Sequence, residues 1–195
     1  MYEIAVLVGS LRRDSINHTY AKALEKLCAG KLAFHFLDVD LPLYNNDLWD
    51  NPPEKVLKLK EAIQHADGVL IVSPEYNRSP PAVTKNAVDW ASRPLGHSVW
   101  VGKPLAITGA STGNLGTAVA QAHLRSVMVI LGTHVLGDPE VYITFKPDFV
   151  TPEGDIASES TAKFLTTFLD NFNTLIDRIR MSSPAASPTP DQWNL

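Results

Sequence analysis

The chain has one cysteine among its 195 residues, Cys28, so no disulfide can form within it. That absence excludes the disulfide-stapled secreted scaffolds and predicts a reducing compartment, the cytoplasm. No apolar run approaches the roughly 18 residues that a membrane span requires. The opening residues, MYEIAVLVGS, lack a basic stretch and run directly into a core-like strand, so they do not read as a signal peptide. Positive charge is also short: 17 Lys and Arg stand against 21 Asp and Glu, a net charge of −4, whereas nucleic-acid binding wants a basic face. His35, His65, His97, His123 and His134 are scattered, and none forms a metal spacing with Cys28 or with a carboxylate pair, so no metal is expected. There is no GxSxG elbow, so Ser10, Ser15 and Ser111 are not supported as hydrolase nucleophiles. A dinucleotide GxGxxG and a Walker-type GK[ST] are missing as well.

What is present is an alternation. Apolar β-rich runs occur at Ile4 to Val8, Leu32 to Leu37, Gly68 to Val72, Pro104 to Thr108 and Thr133 to Leu136. Helix-like stretches lie between and after them: Ile16 to Leu27, Pro53 to His65, Pro80 to Ser92, Leu115 to Leu131 and Ser158 to Arg180. Two of the strands, IAVLV and GVLIV, are apolar at every residue, as strands buried on both faces are. The pattern predicts a doubly wound α/β fold. Its five-stranded parallel sheet has the flavodoxin-like order 2-1-3-4-5, with helices on both faces. Residues 1–181 read as one domain. The end, SSPAASPTPDQWNL (182–195), reads as a disordered Pro- and Ser-rich tail in which Trp193 offers a docking side chain.

In such a sheet ligands bind beyond the carboxyl ends of the strands, which brings three loops together. The first, GSLRRDSIN, supplies hydroxyls from Ser10 and Ser15, the Asn17 amide and the Arg12 guanidinium. The N–H groups at the helix start, from Ile16 on, add to them. Neutral donors with one cation suit a terminal phosphate monoester; the plainer alternative is a Ser15 helix cap beside a solvated Arg12. His18, just past this loop, reads as a solvated helix position. The second loop, SPEYNRSPP, is stiffened by Pro74 and presents Glu75, Tyr76 and Asn77. It suits the frame of a flat heteroaromatic ring, or else is a tight structural turn in which Glu75 is solvated or bonded to backbone. Lys85, Asn86, Asp89 and Trp90 share the next helix. Lys85 and Asp89 form an i,i+4 pair, and the block reads as packing and subunit contact rather than chemistry.

Three segments, GSLRRDSIN, PEYNRSPPAVTKNAVDWASRP and GASTGNLGTAVAQAHLR, resemble the NADPH-dependent FMN reductase family, in its branch of quinone and chromate reductases. The likeness runs from about Val6 to about Tyr142. It implies a flavodoxin-like fold, bound FMN, and reduction of small acceptors by NADPH or NADH. Carried onto this sequence, it implies that Ser10, Arg12, Ser15, Ile16 and Asn17 hold the FMN phosphate. Pro74, Glu75, Tyr76 and Asn77 would flank the ribityl chain and ring, and Ser111 and Gly113 would line the ring's polar edge. Arg78 follows PEYN where relatives often carry Tyr, His or a small residue; it could meet an NADPH phosphate, an anionic acceptor, or solvent alone. Val119 and Ala122 stand where some relatives carry Arg and Tyr, which favours a homodimer over a homotetramer of that kind.

The resemblance implies hydride transfer from NAD(P)H through FMN to quinones, azo compounds, chromate or free flavin, with no side chain as the redox catalyst. The alternative is a flavodoxin-like electron carrier without NAD(P)H turnover of its own.

Overall fold

The computed structural model describes residues 1–182, so the tail read over 182–195, Trp193 included, lies outside the described residues apart from Ser182. The chain runs β1 (Tyr2–Val8), α1 (Ile16–Leu27), β2 (Leu32–Phe36), α2 (Glu54–His65), β3 (Gly68–Val72) and α3 (Ala82–Ala91). It continues through β4 (Pro104–Ser111), α4 (Ala118–Ile130), β5 (His134–Val135), β6 (Val141–Thr144) and α5 (Glu159–Ser182). The strands are parallel in the order β2-β1-β3-β4-β5, with β6 also paired to β4.

The unbroken apolar strands divide their side chains between two cores. Ile4, Val6, Val8, Leu70 and Val72 face α1 and α5. Ala5, Leu7, Val69 and Ile71 face α2, α3 and α4. Each helix meets its core along one stripe. In α5, Leu165, Phe168, Leu169, Phe172 and Ile176 are buried at spacings of three and four, and the intervening positions are mostly polar. A buried Leu or Phe contributes roughly 1.5–3 kcal/mol, so this stripe alone outweighs any surface ion pair in the molecule.

The sequence predicts a single fifth strand over 133–136; the structure has two short ones in its place. Val135 pairs with Leu105 and Val141 with Thr108, so six steps of chain run beside three on β4 and the excess bows outward. Pro139 lies in the bow, where a residue without an N–H cannot extend the ladder. Arg125 holds the bow, donating from Nη1 to the Leu136 carbonyl at 2.6 Å. The return matters for the site: β6 pairs with the last turn of β4, out to Ser111 opposite Thr144.

Candidate functional site

Because β1, β3 and β4 are parallel neighbours, the loops after Val8, Val72 and Ser111 open on one edge of the sheet. They approach closely. A Cβ on Gly9 would stand 2.1 Å from Thr84 Oγ1, and one on Gly109 would stand 1.9 Å from the Ser73 carbonyl oxygen. Larger residues at either place would wedge the edge apart.

In the first loop Ser10 and Ser15 are buried and Arg12 is exposed at the lip. The Arg12 N–H donates to Ser10 Oγ at 3.3 Å, and His18 Nε2 contacts the Ser10 carbonyl at the same distance. Thus His18 supports the loop from its helix. Ser15 is the N-cap of α1, yet its side chain makes no capping bond and no acidic residue lies in the first turn. The start of α1 therefore has unpaired donors aimed at the strand ends.

Asn17 departs from its expected place among the anion ligands. It is buried, its Nδ2 donates to the Ala110 carbonyl at 2.8 Å, and its Oδ1 accepts from the Ala110 N–H at 2.8 Å. The β3–β4 ladder ends at Val72 opposite Thr108, with one further bond from Ser73 N–H to the Thr108 carbonyl. Asn17 extends that ladder by one residue, clamping α1 to β4. Below it the Tyr20 hydroxyl meets Thr108 Oγ1 at 3.1 Å, and Thr108 donates to the Val141 carbonyl at 3.2 Å. Burial raises the Tyr20 phenol well above its ordinary range, so it stays a neutral donor.

The second loop resolves both readings of Glu75 in favour of backbone bonding. Its Oε2 accepts from the N–H groups of Val119 and Ala120, each at 3.0 Å, and its side chain is only 9% exposed. Thr117 gives α4 no side-chain cap and the first turn of α4 has no acid, so Glu75 supplies the missing anion from another element. The N-termini of α1 and α4 at this edge thus differ: α4 carries a carboxylate of the chain's own, and α1, like α3, carries none. Beyond Glu75, Tyr76 and Ser79 close a two-residue turn through reciprocal backbone bonds of 2.9 and 3.0 Å. Asn77 and Arg78 fill it with φ of 51° and 65°. Asn accepts that conformation readily; for Arg it costs about 1 kcal/mol. Arg78 Nη1 reaches Glu75 Oε1 at 3.4 Å.

The third loop is folded on itself by Ser111. Its hydroxyl donates to the Gly116 carbonyl and accepts from the Gly113 N–H at 3.2 Å. Thr144 Oγ1 donates to the Gly113 carbonyl at 3.2 Å from β6. Gly116 has a φ of 57° and its Cβ position falls 2.9 Å from the Ile143 backbone, so only glycine fits there. Between these loops lies a cavity of about 300 Å³ walled by Glu75, Arg78, Ser111 and the Gly113–Gly116 turn. A larger open groove, about 930 Å³, runs along the outer side of α1 past Lys22 and Lys26 to Asp38 and Pro152. It touches the first loop but neither β3 nor β4, so it lies away from where the strand ends meet.

Thr144, Asn114, Leu115 and Gly116 join the site without having been predicted. The β-branched and aromatic run VYIT is a sequence signal for the short strand that carries Thr144, though not for its pairing with β4. Asn86 and Trp90, in the most distinctive segment of the sequence, pack as read. Asn86 Nδ2 and Trp90 Nε1 donate to the Pro42 carbonyl at 2.9 and 2.8 Å, and Asn86 Oδ1 accepts from the Tyr44 N–H at 2.8 Å. Lys85 and Asp89 form the expected exposed pair at 2.7 Å. Among the described residues no group of three or more His, Cys, Asp or Glu side chains is placed to hold a metal ion, and no helix is long and apolar enough to cross a membrane.

The donor set at α1, with two buried serines, an open helix N-terminus and Arg12, has the chemistry of a phosphate-monoester cradle. Comparisons with known proteins give the family. Residues 2–148 match the family model described as NADPH-dependent FMN reductase. The chain is 51% identical over 171 residues to a 2-hydroxy-1,4-benzoquinone reductase of a Burkholderia species, covering 87% of this chain and 93% of that protein. It is 37% identical over 184 residues to a quinone reductase of Escherichia coli K12, covering 92% and 97% respectively. Among solved structures it resembles a flavoenzyme NAD(P)H:(acceptor) oxidoreductase of Paracoccus denitrificans with a TM-score of 0.89 and 48% identity, over 91% of this chain and 98% of that one.

Proposed function

From the premise that the chain belongs to the NADPH-dependent FMN reductase family, an oxidoreductase family with FMN as cofactor and NAD(P)H as reductant, we propose how its own residues serve that activity and which acceptor they fit. The observation that carries the reading is the donor set at α1: Glu75 fills the N-terminus of α4, whereas the open N-terminus of α1, with buried Ser10 and Ser15 and Arg12 beside it, is left to a ligand anion. Ser10, Arg12, Ser15 and the N–H groups of Ile16 and Asn17 hold the phosphate of FMN there. Pro74, Tyr76 and Asn77 flank the ribityl chain and ring through a rigid turn, with Glu75 locking the turn to α4. Ser111 and Gly113 border the ring's polar edge in a loop that Thr144 keeps folded. When bound, FMN supplies the hydride chemistry between NAD(P)H and the acceptor. The protein's part is to orient both partners and to keep the site's shape: Asn17, Thr144 and Glu75 each tie a ligand-facing loop to the sheet or a helix.

The acceptor we propose is a small quinone, in particular one bearing an acidic ring hydroxyl. The likeness to a hydroxybenzoquinone reductase supports this, as does the cation on the cavity wall. Residues 1–181 act as one catalytic domain, because α5 packs into the same core as α1 and β1. The working unit is a homodimer in the cytoplasm. The buried, lone Cys28 fits a reducing compartment, and Val129 and Ile130, 63% and 84% exposed beside Val101, offer an apolar patch for a second copy. Light scattering should return a multiple of the 21.3 kDa chain mass; the mass of one chain would refute the dimer.

The test is direct. Anaerobic NADPH should bleach the flavin absorbance of the purified protein, and a quinone should restore it without a partner protein. Initial-rate plots at several quinone concentrations should be parallel, because nicotinamide and acceptor take turns at one cavity. A flavin spectrum indifferent to NADPH and NADH would overturn the reading.

A further inference from the structure

The tip of the second loop holds an arginine where the backbone favours glycine. Arg78 sits at the second central position of a two-residue turn with φ of 65°, closed by the Tyr76 and Ser79 backbone bonds. Glycine or asparagine would complete that turn without strain. The side chain is therefore not there for the turn. Nor is it there for Glu75, whose carboxylate already accepts two N–H bonds from α4 and whose contact with Arg78 is a single long one of 3.4 Å. Such an exposed contact is weak, and breaking it leaves Glu75 still bonded. The guanidinium, on a side chain that is 63% exposed, lines the 300 Å³ cavity and is the one cation on its wall among the described residues.

Resting on the function proposed above, we infer that Arg78 is a specificity-determining residue that pairs with the ring oxyanion of an ionised hydroxyquinone as it enters this cavity. A hydroxyl conjugated to a quinone carbonyl is a vinylogous acid and is anionic at neutral pH. A guanidinium can meet the oxyanion and the adjacent carbonyl as a fork, which a lysine cannot. The pairing also draws charge out of the ring, countering the oxyanion's opposition to incoming electrons. The reaction balances without Arg78 changing state. Two electrons and a proton leave NAD(P)H as hydride, and two protons come from solvent, one for the second quinone oxygen and one for the former oxyanion, which is an ordinary phenol once the ring is reduced; the products are NAD(P)⁺ and the neutral trihydroxybenzene. The cavity favours the acceptor over an NADPH phosphate as the anion. The phosphates of a dinucleotide lie remote from its nicotinamide, whereas Arg78 is on the wall of the reacting cavity itself.

The experiment compares 2-hydroxy-1,4-benzoquinone with the neutral 2-methoxy-1,4-benzoquinone in the FMN-loaded wild type, Arg78→Gly and Arg78→Lys. Glycine fits the turn, so the variant folds. The ratio of kcat/KM for the hydroxyl over the methoxyl compound should fall at least about tenfold in Arg78→Gly, the equivalent of one charge-assisted bond, and chiefly through KM. Arg78→Lys should recover part of it. Lowering the pH until the hydroxyl is protonated should erase the wild-type preference. An unchanged ratio, or a loss confined to anaerobic reduction by NADPH, would overturn the inference, the latter returning the guanidinium to the reductant. A wild type that is bleached by NADPH yet reoxidised by neither quinone would instead overturn the acceptor reading on which the inference rests.

Discussion

Replacing Asn17 by Ala separates a strut from a ligand. In the structure both ends of the Asn17 amide bond the backbone of Ala110 at 2.8 Å, with both residues buried. Truncation leaves the Ala110 N–H and carbonyl unpaired at the point where β3 has already ended. An orphaned buried polar group costs about 1–3 kcal/mol, and partial hydration at the edge of the sheet lowers the sum, so we expect a loss of about 2–4 kcal/mol. For a chain of this size that corresponds to roughly 5–15 °C in Tm. The loss should appear in FMN-stripped protein, in thermal melts and as a lowered urea midpoint with an unchanged m-value. FMN affinity should fall as well, because the Ser111 loop hangs from the same strand end. A phosphate ligand would behave otherwise: stripped protein would melt within about 1 °C of wild type, the scale on which surface changes act, while calorimetry showed weakened FMN binding. That pair of results would refute the strut.

Three further outcomes follow from the same structure. Arg12→Ala should weaken FMN binding at least about tenfold in calorimetry while leaving the stripped protein's melting unaltered, and riboflavin should bind far more weakly than FMN; equal affinities would remove the phosphate from the α1 loop. Gly109→Ala drives a Cβ to 1.9 Å from the Ser73 carbonyl and should destabilise by about 3 kcal/mol or more, the upper end of overpacking, seen as insoluble expression or a collapsed Tm. Burial raises the Cys28 thiol to about 11 from its ordinary 9.0, so native protein should react with a thiol reagent at pH 8 only as fast as it opens. In the unfolded chain the proton leaves first, so the stability linked to Cys28 is complete below about pH 9 and is lost as the pH rises through about 11. Fast stoichiometric labelling of native protein at pH 8 would contradict the burial.

The linear sequence determined the strands, the helices and the parallel character of the sheet through a local property, namely strands apolar at every residue next to helices with one apolar stripe. Hydrophobic periodicity acts within a few residues of chain, so IAVLV, GVLIV and the stripe of α5 were legible without neighbours. So were the donor-rich composition of GSLRRDSIN and the packing role of Asn86 and Trp90. Tertiary structure decided how individual polar groups are spent. Asn17 looked like a ligand because its amide is a donor; only the end of the β3–β4 ladder 93 residues away claims both of its bonds. Glu75 became the cap of α4 because that helix begins without an anion of its own and lies across the cavity. Thr144 entered the site because β6 rejoins β4 after the bow at Pro139, a pairing set by strand register rather than by propensity. A short polar side chain has several partners of nearly equal worth within reach, so its role is fixed by which backbone groups the fold leaves unpaired beside it, and that is known only when distant strands have met.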